Sequence, residues 1–260
     1  MTLRLRQICL VAPHLEPSVS TICTVLGTMV SYVDPNVEKY GLVNALMPFG
    51  NSFLEVVAPT RDGTAAGRYL DRRGGEGGYM VILECDAIEP WLAHLPEVGV
   101  RVANDLDHPG EYRGLQLHPR DTGGALLEIN HSNGGAWEGP YHPAGPRWKG
   151  AHGVDAEDQI MAAELQSPDP VALATRWSGI LRSPVHDAAG VPTINLDLGV
   201  LRFVPATDGR GEGLGGIDVK IPRHERARFA ARQKEVNEVD GALMLCGTRV
   251  RLVEPVPVAN

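Results

Sequence analysis

Aromatic residues make up only 5% of this 260-residue chain, too few for the ladder of stacking rings on which single-stranded nucleic acid is held. Basic runs are lacking as well. Lysine and arginine total 24 against 32 acidic residues, a formal charge of −8, so the electrostatic footprint of a phosphate-backbone partner is missing. No apolar stretch reaches the roughly 18 residues that a membrane helix needs. The opening MTLRLRQICLVAP has its apolar run cut by Pro13, His14 and Glu16, which is short of a secretory core. The four cysteines, Cys9, Cys23, Cys85 and Cys246, are far apart and form no C-x-x-C pair, as expected of reduced thiols in a core. These absences lead us to expect a cytoplasmic protein with a small-molecule ligand and neither a nucleic-acid nor a membrane partner, as a monomer or a homodimer.

What is present is ordinary globular composition, 43% hydrophobic and 22% charged, arranged in a repeat. Residues 4–12 read as a strand, and Val19, Ile22, Cys23 and Leu26 recur at helical spacing before Gly27. Three strand-like runs follow, MVSYV (29–33), GLVNALMPF (41–49) and SFLEVVAP (52–59), separated by the turn signals DPN and GN. The same β-α-β-β-β order returns over residues 78–131, with a helix over 88–99 that has Pro90 in its first turn. Residues 132–158 are dense in glycine and proline and have no periodicity, which reads as a connector wrapped on the surface. Beyond it, strand-like runs at 159–166, 195–206, 214–222 and 248–255 and helices over about 170–181 and 224–236 make two shorter copies.

The expected fold is therefore α+β, about four modules in two subdomains: residues 1–131, a connector over 132–158, and a second, degenerate unit over 159–260. One module cannot bury the apolar face of its small sheet alone, so modules must pair, curling mixed sheets into half-barrels around a cavity. GRGEGLGG (209–216) neither follows a clear strand nor opens a helix as a phosphate loop would, and reads as a flexible turn.

Polar residues on cavity-facing strands need a reason to be there. Gln7 interrupts the first strand, Glu55 sits inside FLEVVAP and Glu128 inside ALLEINH. Paired modules would let these three converge, as oxygen ligands of a divalent cation must; separately, each has an ordinary role in an edge strand or a surface ion pair.

RQICLVAPHLE, GNSFLEVVAP, GRYLDRRGGEGGYMVILECDAIE and GLQLHPRDTGGALLEIN, in that order, resemble the vicinal oxygen chelate superfamily, which includes glyoxalases, bleomycin-resistance proteins and extradiol dioxygenases. Over residues 4–131 the likeness is to its methylmalonyl-CoA epimerases. By that resemblance, the positions holding a divalent metal (Mn, Co, Ni, Zn or Fe) are Gln7, Glu55, Met80 and Glu128, where Met80 replaces the expected histidine and leaves the site incomplete. Tyr79, often a second histidine in the epimerases, should point to the opposite face of its strand from Met80.

The resemblance also implies two acid/base groups for epimerisation: Glu128 on the last strand, and a glutamate shortly before Gly41, where this chain has Glu38 and Lys39. Tyr79, Met80 and His118 become candidate substrate contacts, with His118 otherwise bonding locally within its HPRDTGG turn. A CoA thioester would need arginines for its phosphates, and Arg68, Arg72 and Arg73 are the tight cluster of the first half. The corresponding positions of the second half, Ala162, Leu201 or Arg202, Gly216 and Arg251, hold no cation ligand.

Three functions follow. The first is a glyoxalase-like isomerase, epimerase or lyase transferring a proton from Glu128 or Glu55 on a small carboxylic acid or acyl thioester. The second is a metal-free protein that binds a small molecule, as resistance proteins do. The third is an extradiol-type dioxygenase.

Overall fold

The computed structural model describes residues 2–132, 136–149 and 157–254. Four modules follow one another, the first β-α-β-β and the other three β-α-β-β-β. The first holds β1 (Leu3–Val11), α1 (Ser18–Leu26), β2 (Leu42–Phe49) and β3 (Ser52–Pro59), and is followed by a linking helix, α2 (Ala65–Arg73). The second holds β4 (Gly77–Cys85), α3 (Glu89–Glu97), β5 (Val102–His108), β6 (Tyr112–Leu117), the single turn α4 (Pro119–Thr122) and β7 (Leu126–Ser132). The third runs through β8 (Gln159–Ser167), α5 (Pro170–Leu181), β9 (Val185–Ala188), β10 (Val191–Asn195) and β11 (Val200–Pro205). The fourth comprises β12 (Gly213–Lys220), α6 (His224–Gln233), β13 (Glu238–Val239), β14 (Ala242–Leu245) and β15 (Thr248–Val253).

Modules pair through their first strands. β1 lies antiparallel to β4 in a curled seven-stranded sheet, β2-β3-β1-β4-β7-β6-β5, and β8 lies antiparallel to β12 in an eight-stranded one, β13-β14-β15-β12-β8-β11-β10-β9. Alternation along each strand sends one set of side chains to a shared core. Leu5, Ile8, Leu10, Val81 and Leu83 of the first sheet meet Ala163, Leu165, Leu214 and Ile217 of the second there, together with Ile22 of α1, Trp91 of α3, Trp177 of α5 and Ala231 of α6. The other face of each sheet is left to the residues that could do chemistry.

Several local expectations change, and one helix forms where none was read from the sequence. MVSYV forms no strand beyond a single bridge from Tyr32 to Leu46, because the chain turns away at Asp34–Pro35 into a short 3-10 helix, Pro35–Tyr40. The arginine-rich link becomes α2 because its ends are built for it: the Thr64 side chain accepts from Gly67 N, Gly74 takes the left-handed C-cap, and Arg72 and Arg73 complement the C-terminal dipole. Residues 213–216 of the glycine-rich segment belong to strand β12.

The connector differs most. Its described part is not confined to the surface: between exposed residues such as Glu138, Arg147 and Lys149 it carries Tyr141, Ala144 and Trp148 into a buried cluster with Leu46 and Phe53 on the concave face of the first sheet. Aromatic side chains gain more from burial than the glycines and prolines around them lose. Residues 133–135 and 150–156 of this connector lie outside the described residues.

Candidate functional site

The concave face of the first sheet is built by register. Across β3, β1 and β4, Glu55 pairs with Cys9 and Cys9 with Met80, while one step along, Gln7 pairs with Ile82 and Ile82 with Glu128 of β7. Gln7, Glu55, Met80 and Glu128 therefore stand on four adjacent strands, and all four are buried.

Each carboxylate is surrounded by donors. Gln7 Nε2 donates to Glu55 Oε2 at 2.9 Å and Asn44 Nδ2 to Oε1 at 2.6 Å. Glu128 accepts from the Tyr112 hydroxyl, from Gln116 Nε2 at 2.9 Å and from Asn130 Nδ2 at 3.0 Å. Burial holds the Glu55 carboxyl above its ordinary range; hydrogen bonds from Asn44, Cys9 and Gln7 pull it back and the Glu128 charge pushes it up again. Burial beside Glu55 likewise drives the Cys9 thiol up, and burial beside Glu128 the Tyr112 phenol. Two acceptors on this face, Gln7 Oε1 and Asn130 Oδ1, are buried and have no hydrogen-bond partner among the described residues.

This donor set does not suit a firmly held divalent ion. Among the described residues, no three His, Cys, Asp or Glu side chains converge into a group that could hold a metal. Amide or hydroxyl hydrogens already point at the oxygens of both glutamates, and the remaining position offers the soft thioether of Met80.

Two walls close the face. On one side, Tyr141 stacks on Phe53 with ring centroids 5.1 Å apart, Trp148 meets the same ring edge-on, and the Arg6 guanidinium lies over the rings of Trp137, Tyr141 and Phe53. Arg6 is fully buried, pairs with buried Glu84 at 3.6 Å and donates to Trp137 O. Beyond this wall opens a cavity of about 620 Å³ lined by Tyr32, Asp34, Tyr141, His142, Trp148 and Lys149. On the other side, α2 packs Ala66 and Leu70 against Cys9, Met80 and Tyr79, and a smaller cavity of about 330 Å³ lies between Arg68, Arg72, Tyr79 and Gly124.

Of the residues singled out by sequence, Gln7, Glu55, Met80 and Glu128 are thus brought together, Tyr79 and Glu38 are not placed as expected, and His118 bonds locally within its turn rather than in the site. Tyr79 does not point away from Met80. A bulge, where Cys9 faces Met80 but Leu10 faces Gly78, breaks the alternation, so both side chains enter one cluster. His118 is a capping residue: its Nδ1 accepts from Arg120 N at 3.2 Å at the start of α4. Glu38 is exposed on the 3-10 helix, where its carbonyl accepts from Gly41 N.

Asn44, Tyr112, Gln116 and Asn130 join the site without a sequence expectation. Asn44 alone interrupts an otherwise apolar strand, LVNALMPF, whereas Tyr112, Gln116 and Asn130 lie on strands with several other polar residues.

A family model described as "Glyoxalase-like domain" matches residues 8–181. The chain is also similar to mitochondrial methylmalonyl-CoA epimerases: 28% identical to that of Mus musculus over 131 residues, 50% of this chain and 73% of the relative, and 26% identical to that of Homo sapiens over 132 residues, 50% and 74%. Among solved structures, a hypothetical protein from Staphylococcus aureus superposes over 98% of this chain and 100% of its own with a TM-score of 0.67 at 13% identity, a likeness of fold that spans both sheets.

Proposed function

The chain belongs to the glyoxalase-like domain family, and from that premise we propose that it is an epimerase-type isomerase moving a proton on the carbon beside the carbonyl of a small carboxylic acid or acyl thioester. The similarity to methylmalonyl-CoA epimerases supports an acyl thioester as the first class to try. The observation that carries this reading is the pair of buried carboxylates, Glu55 and Glu128, on one concave face and close enough for one charge to raise the pKa of the other.

Inverting a carbon next to a carbonyl takes a base on one side and an acid on the other. Glu55, held protonated to higher pH by burial, suits the acid, and Glu128, fixed by three donors, suits the base. In this site the enolate oxygen would be met by amide N–H groups of Gln7, Asn44 or Asn130 rather than by a cation.

α-Proton wash-out into D2O, followed by NMR over a panel of 2-substituted acyl-CoA thioesters and carboxylic acids, tests the reading. Wild type exchanges the α-proton of at least one compound, and Glu128→Gln and Glu55→Gln slow it by about 10²-fold. Absence of exchange across the panel would sink it.

A second reading, a small-molecule binding protein without catalysis, is favoured by the aromatic wall. Phe53, Tyr141 and Trp148 fill space a substrate would use, and the cavity of about 620 Å³ beside them has the size and aromatic lining of a ligand site. Tight binding of a compound with no exchange of its α-proton would select it.

A further inference from the structure

The second sheet repeats the geometry of the first with opposite electrical character. On its outer face, Glu164 pairs with Arg202 of β11 and with Gly216 of β12, Gly216 pairs with Arg249 of β15, and Asp218 pairs with Arg251. The same register that lines up Cys9, Glu55, Met80 and Glu128 in the first sheet thus lines up three arginines and two carboxylates in the second.

The five side chains form one ring. Arg202 donates to Asp218 through both terminal nitrogens and to Glu164 at 3.4 Å; Arg249 donates to Glu164 Oε1 through Nε and Nη2; Arg251 Nη1 reaches Asp218 Oδ1 at 2.9 Å and Glu164 Oε2 at 3.6 Å. Glycines make the room. A Cβ at Gly215 would stand 2.6 Å from Arg249 Nη2 and 2.3 Å from Gln166 Oε1, and one at Gly216 would stand 3.0 Å from Glu164 Oε1.

Stability alone is a weak reason for such a ring, since ion pairs on a buried face rarely outdo well-packed apolar side chains. Its charge is also unbalanced, three guanidinium groups facing two carboxylates. The excess is reachable, with the Arg202, Arg249 and Arg251 side chains 22%, 17% and 40% exposed. Arg251 Nε and Nη2, Arg249 Nη1 and Arg202 Nε have no hydrogen-bond partner among the described residues.

We propose that the arginine ring on the outer face of the second sheet is a binding site for a small oxyanion, a carboxylate or a phosphate, held by the forked guanidinium of Arg251 with Arg249 beside it. A planar fork matches two oxygens of either anion, which a lysine would not do.

Calorimetric titration of the full chain with malonate and, separately, with inorganic phosphate tests the site in wild type, Arg251→Gln, Arg251→Lys and Glu128→Gln. One-to-one binding of either anion is expected, weakening with added salt, at least about tenfold weaker in Arg251→Gln and only partly restored in Arg251→Lys. Retention of binding in Glu128→Gln assigns the heat to the second sheet. Whichever anion binds identifies the group that the ligand carries. Absence of saturable binding of both anions, or equal affinity in wild type and Arg251→Gln with circular dichroism showing the variant folded, would overturn the proposal.

Discussion

Tyr141 of the connector lies face to face with Phe53 of β3, ring planes 14° apart, while its hydroxyl accepts from Asn130 Nδ2 at 3.3 Å, one hydrogen bond away from Glu128. One side chain thus joins the wall of the concave face to the hydrogen-bond network of the candidate base. Tyr141→Ala should destabilise the protein by about 3–5 kcal/mol, because it opens a cavity and strips a ring face from buried Arg6. Tyr141→Phe should lose only about 1 kcal/mol. Chemical denaturation of the two variants separates the wall from the network; equal losses would show that the ring does not bear the load assigned to it.

Protonation of Glu55 gives a pH signature. Burial raises its folded-state pKa above the unfolded value, and the same holds for Glu84 beneath Arg6. Just above the ordinary carboxylate range the folded state then binds more protons than the unfolded one, so stability is full below that range and falls as pH rises through the raised values. Thermal denaturation from about pH 4.5 upward should show this decline in wild type and a shallower one in Glu55→Gln. An identical slope in the variant would remove Glu55 as its source.

The modules were legible in the sequence because their helices and strands carry clean 3.6- and 2-residue periods and end at glycines such as Gly27 that have a defined conformation. Gln7, Glu55 and Glu128 were legible for a related reason, since each interrupts an apolar strand. Tyr79 was not, because a bulge at Cys9/Leu10 is a property of two paired strands and leaves no trace in one of them. The inward packing of the connector was hidden too: Tyr141 and Trp148 follow no period, so nothing in their spacing tells a packed wall from a surface loop. The arginine ring depends on neighbours in the sheet, and only the register of β8, β11, β12 and β15 reveals that Glu164, Asp218 and the arginines meet.

His118 and Glu38, both drawn into the site by resemblance, supply a control. With the His118 imidazole capping α4 and Glu38 exposed, His118→Ala should cost about 1 kcal/mol of stability and Glu38→Ala within about 0.5 kcal/mol. Neither should alter α-proton exchange. Loss of exchange in Glu38→Ala would make that glutamate the second acid/base group in place of Glu55.

Metal affinity tests the donor set most directly. In wild type the oxygens of Glu55 and Glu128 face amide and hydroxyl hydrogens and Met80 offers a thioether, so titration with Co²⁺ should give no visible absorption from a bound ion. Met80→His supplies an imidazole on β4 in line with Gln7, Glu55 and Glu128; if rotation of the Gln7 and Asn44 amides is then all that binding requires, the variant should gain a Co²⁺ spectrum that disappears in Met80→His/Glu128→Ala. Stoichiometric, Glu128-dependent Co²⁺ binding by the wild type would instead mean that the amides yield without a histidine, and that an enolate in this site is stabilised by a cation rather than by N–H groups alone.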